Sequence, residues 1–282
     1  MPLCAPETLE PLDQTGCPGN RNRAYTTDTA VPPPDMTRPR LPQIARYLLT
    51  LFALSTVSLA QDVKPIFDGR LHLTPGKLAG AEEALFQSKV VPAARQAWKQ
   101  RGRDGACTPG PTVRAVDVTS GSFTRPNATQ RAILYVYCEV GHNMDLDGIA
   151  IVENGQVAAH IVFEGASNNA IGALPDINGN GIAEIVIASG GTNQGQTWGV
   201  ISITEINGKE TTDFGLANTY MDNCGVDENN CSMEATRISV KPGSKPAFFS
   251  EKFVRKDGPW RKTGALAPLA LKEDETEYEI LK

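Results

Sequence analysis

The chain has 282 residues, 40% of them hydrophobic and 21% charged, which excludes a protein that is membrane-embedded or disordered throughout. Its 27 basic and 32 acidic side chains leave a formal charge of -5, which argues against a nucleic-acid partner. Six cysteines and only three histidines bound the remaining chemistry.

The first 35 residues hold Pro2, Pro6, Pro11, Pro18, Pro32, Pro33 and Pro34 and no periodic apolar pattern, a composition that cannot build a core. From Met36 the pattern changes. Arg38, Arg40 and Arg46 form a basic head, Tyr47 to Leu54 an apolar run, and Ser58-Leu59-Ala60 a small-residue end, the layout of a secretory signal cut after Ala60. Tyr47 to Ala60 is too short to cross a bilayer core of about 30 Å at about 1.5 Å per residue, so no stable membrane span is expected after cleavage. Because such a signal belongs near the start of translation, Met36 is expected to initiate, with residues 1–35 an over-extended reading frame and 36–60 the signal. The expected location is secreted or periplasmic.

Beyond Gln61 the cysteines are Cys107, Cys138, Cys224 and Cys231, an even set in an exported chain, where disulfides persist. Four cysteines allow three pairings. Cys224 and Cys231 flank a short polar loop, which favours Cys224 with Cys231 and Cys107 with Cys138; no paired C-x-x-C or C-x-x-H spacing supports zinc.

Residues 61–110 read as a short helical region. Thr74 can cap, Pro75 suits the first turn, and Leu78, Ala81, Ala84 and Leu85 share one face. Pro92 is expected to interrupt, giving a small helical hairpin whose second arm carries Trp98 as a core anchor.

Residues 111–282 read as a β domain. Runs at 112–118, 132–140, 149–152, 158–163, 182–188, 200–206, 236–240 and 247–254 have strand composition. Asn154-Gly155, Asn207-Gly208 and Asp257-Gly258 lie between or just after them and supply hairpin turns, so the sheets are expected to be antiparallel. The charged run Lys272 to Glu279 is expected to be a solvated end.

One segment carries chemistry: Asp176-Ile177-Asn178-Gly179-Asn180-Gly181-Ile182-Ala183-Glu184. Side-chain oxygens fall at positions 1, 3, 5 and 9, glycine at 6 permits a sharp turn, and position 7 offers a carbonyl, as a hard cation with six to eight oxygen ligands requires. The helix-loop-helix calcium site is excluded, since its position 12 glutamate is here Ile187. A polar turn closed by its own Asn and Asp side chains, with no metal, is the alternative.

These residues resemble the FG-GAP/VCBS-like family, the integrin-type calcium-loop repeats and their bacterial relatives, with the pattern D-x-[DN]-x-[DN]-G-x-x-[DE] running into an apolar strand, here Ile185 to Ala188. Phe163 and Gly165 stand near the family's Phe-Gly, while Ala188-Ser189-Gly190-Gly191 replaces its Gly-Ala-Pro. The resemblance implies Ca2+ held by Asp176, Asn178, Asn180, the Ile182 carbonyl and Glu184 in a structural role, and blade-like units over residues 121–206. A weaker echo at Asn143, Asp145, Asp147 and Gly148 is a second candidate loop, with Ile151 where the position 9 acid belongs. A closed propeller needs about four or more blades, so the expected fold is mainly β: antiparallel blade-like sheets, not a full propeller, with a short N-terminal helical segment.

No G-x-S-x-G, H-E-x-x-H or G-x-x-x-x-G-K-[ST] occurs. The expected function is therefore a non-catalytic binding module for a protein or glycan, through loops near 190–198 and 222–231. The alternative is a metal-dependent hydrolase built on Asp145, Asp147 and Asp176.

Overall fold

The run Ala132 to Cys138 lacks polar alternation, the pattern of a strand covered on both faces. In the computed structural model, which describes residues 63–71, 75–107, 110–141, 144–226 and 231–281, every residue of that run is buried. The leader, the signal segment, His72, Thr74, His142 and Asn143 lie outside the described residues.

In chain order the strands are β1 (Lys64–Asp68), β2 (Arg114–Gly121), β3 (Gln130–Gly141), β4 (Met144–Glu153), β5 (Gln156–Ala166), β6 (Asn168–Ala173) and β7 (Ile185–Asn193). They continue with β8 (Gln196–Ile206), β9 (Thr211–Asp222), β10 (Met233–Lys241), β11 (Ala247–Arg255), β12 (Arg261–Lys262), β13 (Ala267–Leu269) and β14 (Glu279–Ile280). All pair antiparallel. One sheet has the order β14-β5-β4-β3-β2; the other runs β12-β11-β10-β9-β8-β7-β6, with β1 added to β10 and β13 to β11. The fold is mainly β and antiparallel, without a closed barrel or propeller.

The smaller sheet is sandwiched. Ile133, Tyr135 and Tyr137 point to the helical side and pack with Phe86, Val90, Ala94 and Trp98. Ala132 and Leu134, one residue out of phase, face the larger sheet with Ile149, Ile151, Ile171, Ile185 and Ile187. A third cluster of Leu174, Ile177, Ile201, Ile203, Ile238 and Val240 lies in the larger sheet. Buried Asp117 ties the layers together by accepting from Gly76 N (2.5 Å) and Ile171 N (2.8 Å).

Trp98 is the expected anchor, fully buried against Tyr137, but the helical hairpin is not formed. Helix α1 (Gly80–Leu85) passes through a π-turn at Phe86–Val90 directly into α2 (Val91–Gln100). Val91 N–H bonds to Phe86 O, five residues back. That wider turn relieves the collision between a proline ring and the carbonyl four residues before it, so Pro92 sits inside a continuous helix rather than ending one. The helix also starts at Gly80 rather than Pro75, where Glu82 Oε2 accepts from the Ala79 N–H (3.0 Å).

Both disulfides have the expected partners, Cys107 with Cys138 and Cys224 with Cys231. The C-terminal run is not a free end. Lys272 exchanges two backbone hydrogen bonds with Leu216, Tyr278 stacks on Phe163 (5.0 Å between centroids), and β14 pairs with β5. Its apolar residues alternate with its charges, so Tyr278 and Ile280 reach the second core while the acids stay outside.

Candidate cation-binding loop

The segment between β6 and β7 is held at both ends before any ligand is considered. Leu174 N–H donates to the Glu184 carbonyl (2.8 Å), and fully buried Ile177 accepts at its own carbonyl from Gly243 N–H (2.9 Å). Gly181 has φ of +85°, the left-handed conformation that the sharp turn at position 6 demands.

Within this frame Asp176 Oδ1 accepts from the N–H groups of Gly179 (2.6 Å) and Asn180 (3.1 Å), and Oδ2 from that of Gly181 (2.7 Å). Asn178 Oδ1 accepts from Asn180 N (3.1 Å) and Asn180 Oδ1 from Ile182 N (2.8 Å). These are the Asx-turn bonds of a self-closed loop. Glu184 folds beneath it, Oε2 accepting from Ile177 N–H (3.0 Å).

Two features go beyond a self-closed turn. Glu184 is fully buried and its Oε1 has no hydrogen-bond partner, a costly arrangement for a carboxyl oxygen. The second is Glu205 on β8, also buried, whose Oε2 receives the amide nitrogens of both Asn178 and Asn180 at 2.7 Å each. Burial first, and then the charges of Glu205 and Asp176, push the Glu184 carboxyl up to about 7. The charges of Asp176 in the loop and Glu205 on β8 thus bear on Glu184, beside two carboxamides that can rotate to present oxygen. Among the described residues no three His, Cys, Asp or Glu side chains gather into a metal site of their own, so a cation here would need the Asn oxygens and the Ile182 carbonyl as well.

Glu205 is absent from the motif. Its signal in the sequence is an acid in phase with Ile201 and Ile203, on the apolar side of an alternating strand.

The second candidate loop is not a loop. Asp145 and Asp147 lie within β4, both buried, and Gly148 is paired with Tyr135 of β3. A Cβ at Gly148 would stand 2.2 Å from the Tyr135 hydroxyl, so this glycine makes room for a phenol rather than a calcium turn. Tyr135 in turn meets His160 Nε2 at 2.7 Å, and burial lowers the imidazole to about 4, keeping it neutral near pH 7. The three acids of the hydrolase alternative are not brought together: Asp176 lies on the β6–β7 loop, apart from β4 in the fold.

The stretches 190–198 and 222–231 do meet. The first is the β7–β8 hairpin, and a Cβ at its tip residue Gly195 would stand 2.3 Å from the Gly225 carbonyl oxygen. No family model, curated protein or solved structure matches the chain.

Glu184 and His160 impose opposite pH dependences. Native Glu184 holds its proton up to about pH 7 while the unfolded chain releases it near 4.5, so its contribution makes stability fall as pH rises through that window. Unfolded His160 binds a proton below about 6.5, which the native state refuses until about 4, so its contribution rises with pH from 4 to 6.5. In chelator, Glu184→Gln is expected to melt increasingly above wild type as pH goes from about 5 to 7.5. A Tm difference independent of pH would contradict the raised Glu184 carboxyl.

Proposed function

We propose that the chain is an exported, non-catalytic β-protein of the FG-GAP-like kind, in which Asp176, Asn178, Asn180, the Ile182 carbonyl and Glu184 hold one structural Ca2+. The observation that carries this is the buried, unpartnered Glu184 Oε1 beside Asp176 and Glu205, a vacant acceptor in an anionic nest. Bound calcium would neutralise the three carboxylates and tie the β6–β7 loop to β8 through Glu205, an added ligand from outside the motif. The third charge places the affinity at the tight end of the roughly 10⁻⁴ to 10⁻³ M range of extracellular sites.

Two disulfides belong to an oxidising compartment, and the segment 36–60, cleaved after Ala60, would take the chain to a secreted or periplasmic location. The partner is a protein or glycan, not a nucleic acid, met at the joined loops 190–198 and 222–231.

Raising calcium from chelator to about 10 mM should add about 1.4 to 2.7 kcal/mol of stability, a Tm increase of roughly 3 to 10 °C. Asp176→Ala should remove that increment but also lowers the baseline, since Asp176 caps three N–H groups. Glu184→Gln preserves shape and should abolish the calcium response while raising the calcium-free Tm at neutral pH. A wild type whose melting ignores calcium, magnesium serving as control, refutes the site.

A further inference from the structure

Beside the joined loops lies a cavity of about 570 Å³, within the size range of small-ligand sites. Phe67, Trp198, Tyr220 and Trp260 give it aromatic walls, and among the described residues Arg70 and Arg255 are its charged lining and no Asp or Glu lines it. The two arginines differ in state. Arg70 is spent: its Nε and Nη2 grip Asp68 (2.8 and 2.5 Å) and its guanidinium lies 3.7 Å from the centre of the Phe253 ring. Arg255 instead donates from Nε (3.2 Å) and Nη2 (2.7 Å) to the thioether of Met233, a weak acceptor that carries no charge. Its guanidinium stacks 5.0 Å from the Trp260 ring centre, and Trp260 meets Tyr220 edge-on at 6.5 Å. Among the described residues no carboxylate lies within ion-pair reach of Arg255.

A guanidinium held by a thioether and stacked on tryptophan, with no carboxylate partner among the described residues, is arranged to take a planar anion by its fork. The walls beside it combine aromatic rings with the hydroxyl-bearing Thr197, Thr219 and Tyr220. Thr192 and Asp222 already engage the hydroxyls of Thr197 and Tyr220 and hold them in place, and a sugar ring offers an apolar C–H surface to the aromatics and hydroxyls to these polar groups.

We infer that this cavity binds a carboxylate-bearing sugar unit, a uronic acid, with the carboxylate on Arg255 and the ring against Trp260 and Trp198. The inference rests on the proposed role as a binding module and makes the glycan the partner. The cavity lies away from the cation loop, so the two ideas can fail separately.

Tryptophan emission reports the site directly, because Trp198 and Trp260 line it and Trp98 is buried between α2 and the smaller sheet. Titration with tetragalacturonate should change the emission saturably, while neutral galactotetraose should bind at least about tenfold more weakly. Arg255→Gln should reduce tetragalacturonate affinity to the neutral level, Arg255→Lys should fall between, and added salt should weaken only acidic binding. Glu184→Gln should leave sugar binding intact, which separates this site from the calcium proposal. Equal binding of acidic and neutral sugars overturns the inference, as do an Arg255→Gln variant of wild-type affinity, an absence of binding, or tighter binding of 2-naphthoate than of the uronate. Should Arg255→Gln fail to fold, Trp260→Leu carries the test, with loss of tetragalacturonate binding expected.

Discussion

Gly148→Val is expected to destabilise the protein by about 3 kcal/mol or more, at or above the upper end for overpacking a core. The hydroxyl, Cζ and Cε1 of Tyr135 all lie within 2.7 Å of where a Cβ would be placed, and Tyr135 is fully buried and bonded to His160. Neither strand can yield, since β3 and β4 form the centre of the smaller sheet, with helix on one face and the larger sheet on the other. Urea unfolding of Gly148→Ala, Tyr135→Ala and the double variant would check the cause. The pair should couple, the double variant being more stable than the sum of the two single losses implies. A Gly148→Ala variant within about 0.5 kcal/mol of wild type would mean that the steric account is wrong.

Removal of the Cys107–Cys138 disulfide, as Cys107→Ala with Cys138→Ala, should cost about 3 to 4 kcal/mol, from the chain entropy released over a separation of 31 residues. This bridge joins the end of the helical segment to β3, and both cysteines are buried in the core beneath the helix. Without it the helical segment would stay docked through its apolar face and the ion pairs of Glu82 with Arg131 and Arg103 with Glu164. The Cys224–Cys231 bridge closes a separation of only 7, and its removal should cost less, about 2 kcal/mol. Denaturant melts of both double variants give the ordering; a larger loss at Cys224–Cys231 would contradict it. Since 227–230 belongs to one of the proposed binding loops, that smaller loss should still be felt in partner affinity.

The antiparallel β architecture was legible because hairpin turns and apolar runs are local signals: Asn154-Gly155 does close β4 onto β5. Strand β9 was not, because Asp213, Gly215 and Asn218 read as turn residues, and only pairing along β8 makes the stretch extended. Strand β1 was missed because its five residues are held by a partner distant in sequence, β10, and β6 because it is short and rich in Asn, Ala and Gly. Pro92 misled because a proline ends a helix unless a wider turn precedes it, and whether one does is settled by how Phe86 and Val90 pack on the sheet.

The candidate loop shows the same division within one site. The order of oxygens and glycines from Asp176 to Glu184 is a property of nine consecutive residues, so the sequence alone determined the loop, its turn at Gly181 and the cysteine pairs that spacing favours. The identical arithmetic failed at Asp145 and Asp147, where the chain is a buried strand, because local spacing does not register the phenol of Tyr135 across the sheet. Glu205 reaches the two asparagines, and Arg255 and Trp260 meet Trp198 and Tyr220 in one cavity, only once the strands pair. Tertiary structure alone decided which charges are buried and which are compensated, because desolvation and pairing depend on neighbours that chain order does not list.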